Sequence, residues 1–180
     1  MAILKEIYEK KVVPSMVKKF GYKNPMQVPK IIKVCVNMGV GSAKKDPKLL
    51  DAAKKNLALI TGQQPLVTRA KKSIAGFNLR KNVPIGCKVT LRRERMYEFL
   101  YKLFNLAIPR IKDFRGISLK GFDHRGNFTL GLQDHLIFPE VEYGEVNKTQ
   151  GLSITIVTTA KKDEEAQELL TCLGMPFRKN

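Results

Sequence analysis

Four runs in this chain alternate between apolar and polar residues, so each offers one apolar face and one face that must meet something else. In Ile31 to Met38, the residues Ile32, Val34, Val36 and Met38 share one side and Lys33 and Asn37 the other. Gly86 to Arg92 sets Cys87, Val89 and Leu91 against Lys88, Thr90 and Arg92. Asn127 to Gln133 sets Phe128, Leu130 and Leu132 against Thr129 and Gln133, and Leu152 to Thr158 sets Leu152, Ile154 and Ile156 against Ser153, Thr155 and Val157. Strands buried on both faces would read as continuous apolar runs; one-sided strands imply a largely antiparallel sheet covered on one face only.

The cover comes from helices. Ile3 to Phe20 has helical spacing through Leu4, Ile7, Tyr8, Val13, Met16, Val17 and Phe20, with Pro14 expected to kink or divide it. Asp46-Pro47 supplies an N-cap and a proline at the first helical position, Leu49, Leu50, Ala53, Leu57 and Ile60 form a stripe, and Gly62 is the stop. Glu94 to Leu106 carries Met96, Phe99, Leu100 and Leu103, and Ile108-Pro109 should end it. A last helix starts at Asp163, with acids in its first turn, and ends at Gly174. The expected fold is α+β: a largely antiparallel mixed sheet, helices packed on one face, and a long basic hairpin loop, all in a single domain of residues 1–180.

That loop joins Pro65–Arg69, read as a short strand, to Gly86–Arg92. The segment Ala70 to Pro84 has neither period, and a loop this long inside a compact domain is functional or disordered. Between Arg69 and Arg95 lie nine basic residues, among them Lys71, Lys72, Arg80 and Lys81, against the single acid Glu94. The apolar tip, Ile74-Ala75-Gly76-Phe77, sits between basic clusters, which suits a partner offering phosphates together with stackable surface.

Charge is distributed to match. Residues 1–90 hold 19 Lys and Arg against 4 acids, while residues 91–180 hold 14 against 12. Asp134 to Met175 is acidic and should turn away from nucleic acid or toward a basic protein. Solubility alone would not require such asymmetry, and no basic stretch has the aromatic and leucine face of a membrane-surface helix. The open sheet face, with Lys33, Asn37, Lys88, Thr90, Arg92, Thr129 and Gln133, offers cations beside amides and hydroxyls, a set that pairs with phosphates, ribose and base edges.

Other classes fare poorly. The start of the chain lacks a secretory signal pattern and no apolar run approaches membrane-spanning length, so a cytoplasmic protein is expected. Cys35, Cys87 and Cys172 read as reduced core thiols rather than a disulfide or zinc site. His124 and His135 read as surface or RNA-edge residues. Asp113, Asp123 and Asp134 could form the cluster of a metal-dependent ribonuclease, but their setting in glycine-rich sequence fits turn chemistry equally well. Gly39 to Lys45 lacks the ending of a phosphate-binding loop. The expectation is no catalytic residue, no metal and no cofactor.

Val36-Asn37-Met38-Gly39-Val40-Gly41, Ile60-Thr61-Gly62-Gln63-Gln64-Pro65, Arg69-Ala70-Lys71-Lys72-Ser73-Ile74-Ala75-Gly76-Phe77 and Pro84-Ile85-Gly86-Cys87-Lys88-Val89-Thr90-Leu91-Arg92 resemble the L-five family of bacterial large-subunit ribosomal proteins. So do Arg95-Met96-Tyr97-Glu98-Phe99, Pro109-Arg110-Ile111-Lys112-Asp113-Phe114-Arg115-Gly116, Ile137-Phe138-Pro139-Glu140 and Ile154-Thr155-Ile156-Val157-Thr158-Thr159-Ala160-Lys161, in the family's order from end to end. Arg93 and His124 stand where the resemblance leads one to expect glycine, and Gln64 where lysine is expected.

The resemblance implies a non-catalytic constituent of the large ribosomal subunit that binds 5S rRNA and helps attach it to 23S rRNA in the central protuberance. Asn37, Gln63 and Thr90 match positions associated with the 5S RNA surface, and Lys33, Lys88 and Arg92 would neutralise phosphate there. Lys71, Lys72, Ser73, Ile74, Ala75, Gly76, Phe77, Asn78, Leu79, Arg80 and Lys81 fall in the loop that reaches toward peptidyl-site tRNA. Neighbouring large-subunit proteins and a small-subunit head protein across an intersubunit bridge are further implied partners.

Overall fold

The computed structural model describes residues 3–44, 46–112, 114–141 and 149–178. Its strands are β1 (Ile31–Gly39), β2 (Leu66–Arg69), β3 (Pro84–Leu91), β4 (Phe128–Leu132) and β5 (Leu152–Thr158), in the sheet order β2-β3-β1-β5-β4. Its α-helices are α1 (Ile3–Ile7), α2 (Val13–Phe20), α3 (Pro47–Thr61), α4 (Arg93–Lys102) and α5 (Asp163–Cys172). The fold is α+β, a largely antiparallel sheet with helices on one face.

Two compact units, each built from separated stretches of chain, make up the molecule. One comprises residues 1–34, 91–130 and 155–180; the other comprises residues 35–90 and 131–154.

In the first unit, α1 packs on α4 and α2 on α5. Pro14 does not divide the N-terminal helix. A π turn over Tyr8–Val12 precedes it, widening the backbone where the proline ring and its missing N–H would otherwise conflict with the ladder. The wider turn shifts the helical phase, so Val12 rather than Val13 is buried between Leu4 and Met16. The same device recurs before Pro109: a π turn over Leu103–Ala107 and a short 3-10 turn over Ile108–Arg110 carry the chain past the expected stop. Phe122, Phe128 and Phe177 close this unit's C-terminal end, with ring centroids 4.7 to 5.9 Å apart.

In the second unit, α3 forms as its sequence dictates. The Asp46 carboxylate accepts from Lys48 N–H at 3.0 Å, Pro47 occupies the first turn, and Leu50, Ala53, Leu57 and Ile60 are buried. Gly62 takes the left-handed conformation that ends the helix, its N–H donating to the Ala58 carbonyl at 2.8 Å. On β1 the alternation holds from Val34 onward, with Val34, Val36 and Met38 buried. At the strand's entry Ile31 is buried and Ile32 is 41% exposed, because a period of two assigns a residue to a side while burial needs something there to cover it.

Candidate nucleic-acid interface

β2 and β3 form the expected hairpin, Leu66 opposite Lys88, Val67 opposite Cys87 and Thr68 opposite Gly86. The register then slips so that Arg69 faces Pro84 and Ile85 is bulged out. Such a bulge bends the strand and increases its twist, which re-aims whatever lies beyond. The Ile85 carbonyl accepts from Val40 N–H at 2.9 Å, so the bulged residue is tied to the end of β1. Gly86 is required beside it: a Cβ there would lie 2.7 Å from the Met38 carbonyl oxygen and 3.1 Å from Thr68 Oγ1.

Two contacts fix how β1 meets β3. Val40 pairs with Ile85, and Cys35 Sγ lies 3.8 Å from Thr90 Oγ1. The two strands therefore run antiparallel with Asn37 across from Lys88. Val36, Met38, Cys87 and Val89 are buried on one side, leaving Cys35, Asn37, Lys88 and Thr90 on the other. Asn37 and Lys88 are exposed; Cys35 and Thr90 are half-buried. Gln63, just past the end of α3, reaches the same strand, its Nε2 donating to the Thr90 main-chain carbonyl at 3.4 Å.

Four of the six positions expected to meet 5S RNA, Asn37, Gln63, Lys88 and Thr90, thus lie together in one unit. Lys33, half-buried on the first part of β1, and Arg92, exposed at the N-cap of α4, belong to the other unit. Cys35 is not a core thiol. It has the parity of Lys33 and Asn37, a signal present in the sequence but outweighed by its valine neighbours. Cys172 is likewise only half-buried, and the core thiol is Cys87, fully buried, with its pKa pushed up to about 11 by burial.

The loop between β2 and β3 is internally bonded. Ala70 N–H donates to the Val83 carbonyl and Asn82 N–H to the Ala70 carbonyl, both at 2.9 Å. Farther out, Ile74 and Leu79 exchange backbone hydrogen bonds at 2.8 and 3.1 Å around a 3-10 turn over Ala75–Phe77. Lys71, Lys72, Arg80 and Lys81 lie exposed along this arm, and at its tip Ile74 is 44% and Phe77 69% exposed.

The sequence that builds this one-sided strand pair and basic arm is similar to known proteins. Residues 24–80 match the family described as ribosomal protein L5, and residues 84–177 match the C-terminus of the same ribosomal family. The chain belongs to the ribosomal protein L5 family. Proteins named large ribosomal subunit protein uL5 from Dictyoglomus turgidum and Caldanaerobacter subterraneus subsp. tengcongensis are 61% and 60% identical to it, each over 99% of this chain and 100% of the relative. The protein of that name from Geobacter sulfurreducens is 60% identical over 99% of both chains.

As an L5-family member the chain is a structural protein and not an enzyme. Its acids do local work. Asp123 accepts from the N–H groups of Arg125 and Asn127 at 2.9 and 3.0 Å and from Asn127 Nδ2 at 2.7 Å, hydrogen bonds that hold its carboxyl below the usual range. Asp134 caps the 3-10 turn His135–Ile137 through Leu136 N–H at 3.3 Å, and Asp113 lies outside the described residues. No group of three or more metal-ligating side chains occurs among the described residues. His124 is exposed as expected, but His135 is fully buried, its Nε2 3.2 Å from Asn56 Nδ2 and its Nδ1 3.2 Å from the Gln150 carbonyl. Those partners are remote in sequence, so nothing around His135 announced its burial.

Proposed function

We propose that this chain binds 5S rRNA and helps attach it to 23S rRNA in the central protuberance of the large ribosomal subunit, in the cytoplasm, with residues 1–180 acting as one RNA-binding domain. The observation that carries the reading is the outward row of Asn37, Lys88 and Thr90 with Gln63 beside it. Asn37 and Thr90 offer short polar groups that read a fixed RNA shape, while Lys88, and separately Lys33 and Arg92, meet phosphate. The arm from Lys71 to Lys81 touches peptidyl-site tRNA. Neighbouring large-subunit proteins and a small-subunit head protein complete the partners.

The test is a binding assay of the purified chain at moderate salt, in which 5S rRNA is shifted and tRNA of similar charge is not. Affinity should fall steeply with salt through counterion release. Asn37→Ala and Thr90→Ala should each weaken binding by about 1–3 kcal/mol as a buried hydrogen bond is lost. Folded variants that both bind like the parent chain would refute the assignment.

A further inference from the structure

The arm between β2 and β3 is held at three levels by bonds that begin and end within the hairpin. At the neck, Arg69 Nη1 donates to the Asn82 carbonyl at 3.2 Å, alongside the Ala70 pairings. Midway, Lys81 N–H donates to Ser73 Oγ at 3.0 Å. At the tip, Asn78 N–H donates to the Ala75 carbonyl at 2.9 Å as the chain turns back toward Leu79. That reversal passes through a left-handed residue, Asn78, at φ 48° and ψ 44°, and a second one, Asn82, at φ 69° closes the neck. Asparagine tolerates this conformation better than other residues with a side chain, and a β-branched residue tolerates it worst. The Asn78 amide makes no hydrogen bond to the described residues, so the fold uses its backbone. Phe77, the residue just before it in the 3-10 turn, is the aromatic ring of the tip and is 69% exposed.

We propose that Asn78 is a positioning residue: its left-handed backbone preforms the arm so that Ile74 and Phe77 are presented as a fixed apolar tip to RNA, without Asn78 touching the RNA itself. The inference rests on the reading of this arm as the tRNA contact. A preformed tip loses little conformational freedom on meeting its partner, whereas a slack loop of the same composition would have to be ordered at that moment.

Two substitutions separate backbone from side chain. Asn78→Gly removes the amide and keeps the left-handed conformation; Asn78→Val removes both. In the free full-length protein, hydrogen exchange should show the Ile74 and Leu79 amides protected in the parent and in Asn78→Gly, and about fivefold or more less protected in Asn78→Val. In ribosomes carrying each variant, peptidyl-site tRNA should dissociate within about twofold of the parent rate for Asn78→Gly and about fivefold faster or more for Asn78→Val. Phe77→Ala, which removes the ring of the tip, should speed peptidyl-site tRNA dissociation in the ribosome as Asn78→Val does. Absence of protection in the parent, or Asn78→Gly ribosomes as impaired as Asn78→Val ribosomes, would overturn the proposal. Replacement of Ser73 to Asn82 by a Gly-Ser turn distinguishes the two levels of failure. If that truncation speeds dissociation and Asn78→Val does not, preorganisation is wrong and the tRNA reading stands; if the truncation changes nothing, the tRNA reading falls and the proposal with it.

Discussion

Gln63 donates from its side-chain Nε2 to the main-chain carbonyl of Thr90, 3.4 Å away, and so ties the end of α3 to β3. The bond does not involve the Thr90 hydroxyl. Thr90→Ala should leave it intact and lose only the weak 3.8 Å contact of its hydroxyl with Cys35 Sγ, whereas Gln63→Ala should cost about 1 kcal/mol in urea unfolding, the net worth of one such hydrogen bond. The contrast matters for RNA binding, since a loss of affinity in Thr90→Ala can then be assigned to its hydroxyl and not to a loosened strand. Equal destabilisation by the two variants would contradict the role given to Gln63.

Close backbone approach at the bulge gives a second expectation. A Cβ on Gly86 would lie 2.7 Å from the Met38 carbonyl oxygen, a strand backbone that cannot move aside cheaply, while a Cβ on Gly39 would meet nothing within 4 Å. Gly86→Ala should therefore destabilise the chain by about 1–3 kcal/mol, and Gly39→Ala should stay within about 0.5 kcal/mol. A Gly86→Ala variant as stable as its parent would mean that β1 and β3 can separate without loss.

Helix α3 shows how much was legible in the sequence: cap, proline, stripe and stopping glycine all lie within the segment itself, and each acts where it stands. The one-sided strands were legible for the same reason, since alternation is a local property. What escaped depends on distant partners or on backbone geometry without a side-chain pattern. Cys35 takes its place from strand parity and from Thr90, 55 positions away. The π turns before Pro14 and Pro109 solve a backbone conflict in a way no spacing rule specifies. The arm has no hydrophobic period because its order comes from main-chain hydrogen bonds and two left-handed asparagines.

Burial of His135 implies a pH dependence. Its Nδ1 accepts from Gln150 N–H and also lies against the Gln150 carbonyl, each at 3.2 Å, and its Nε2 lies 3.2 Å from the Asn56 amide, so both ring nitrogens are held without contact with water. Burial lowers the pKa below the ordinary 6.5, opposed in part by the Gln150 hydrogen bond and by the Asp134 carboxylate 4.0 Å away. With the folded value below the unfolded one, the unfolded chain binds the proton more readily, so stability is full above about pH 6.5 and declines as pH falls toward the folded value. Unfolding measured from pH 8 to 5 should show that decline in the parent and a flatter profile in His135→Gln. Parallel profiles would show that another group is responsible.

Arg93 and His124 adopt left-handed backbone conformations, φ 54° and 62°, at the two positions where the family resemblance leads one to expect glycine. A side chain in that region costs on the order of 1 kcal/mol relative to glycine, through contact between Cβ and the following carbonyl. Arg93 is also a cation in the first turn of α4, where the helix dipole disfavours it. Arg93→Ala removes the charge and keeps the conformational cost, so the further gain on going to Arg93→Gly isolates the backbone contribution, expected at about 1 kcal/mol. His124 offers a parallel case. Its Nδ1 lies 3.2 Å from Asp163 Oδ2, but the imidazole is almost wholly exposed and a surface pair of that kind contributes little. His124→Gly should therefore stabilise as well. Glycine variants no more stable than their alanine counterparts would show that the left-handed geometry at these positions carries no cost.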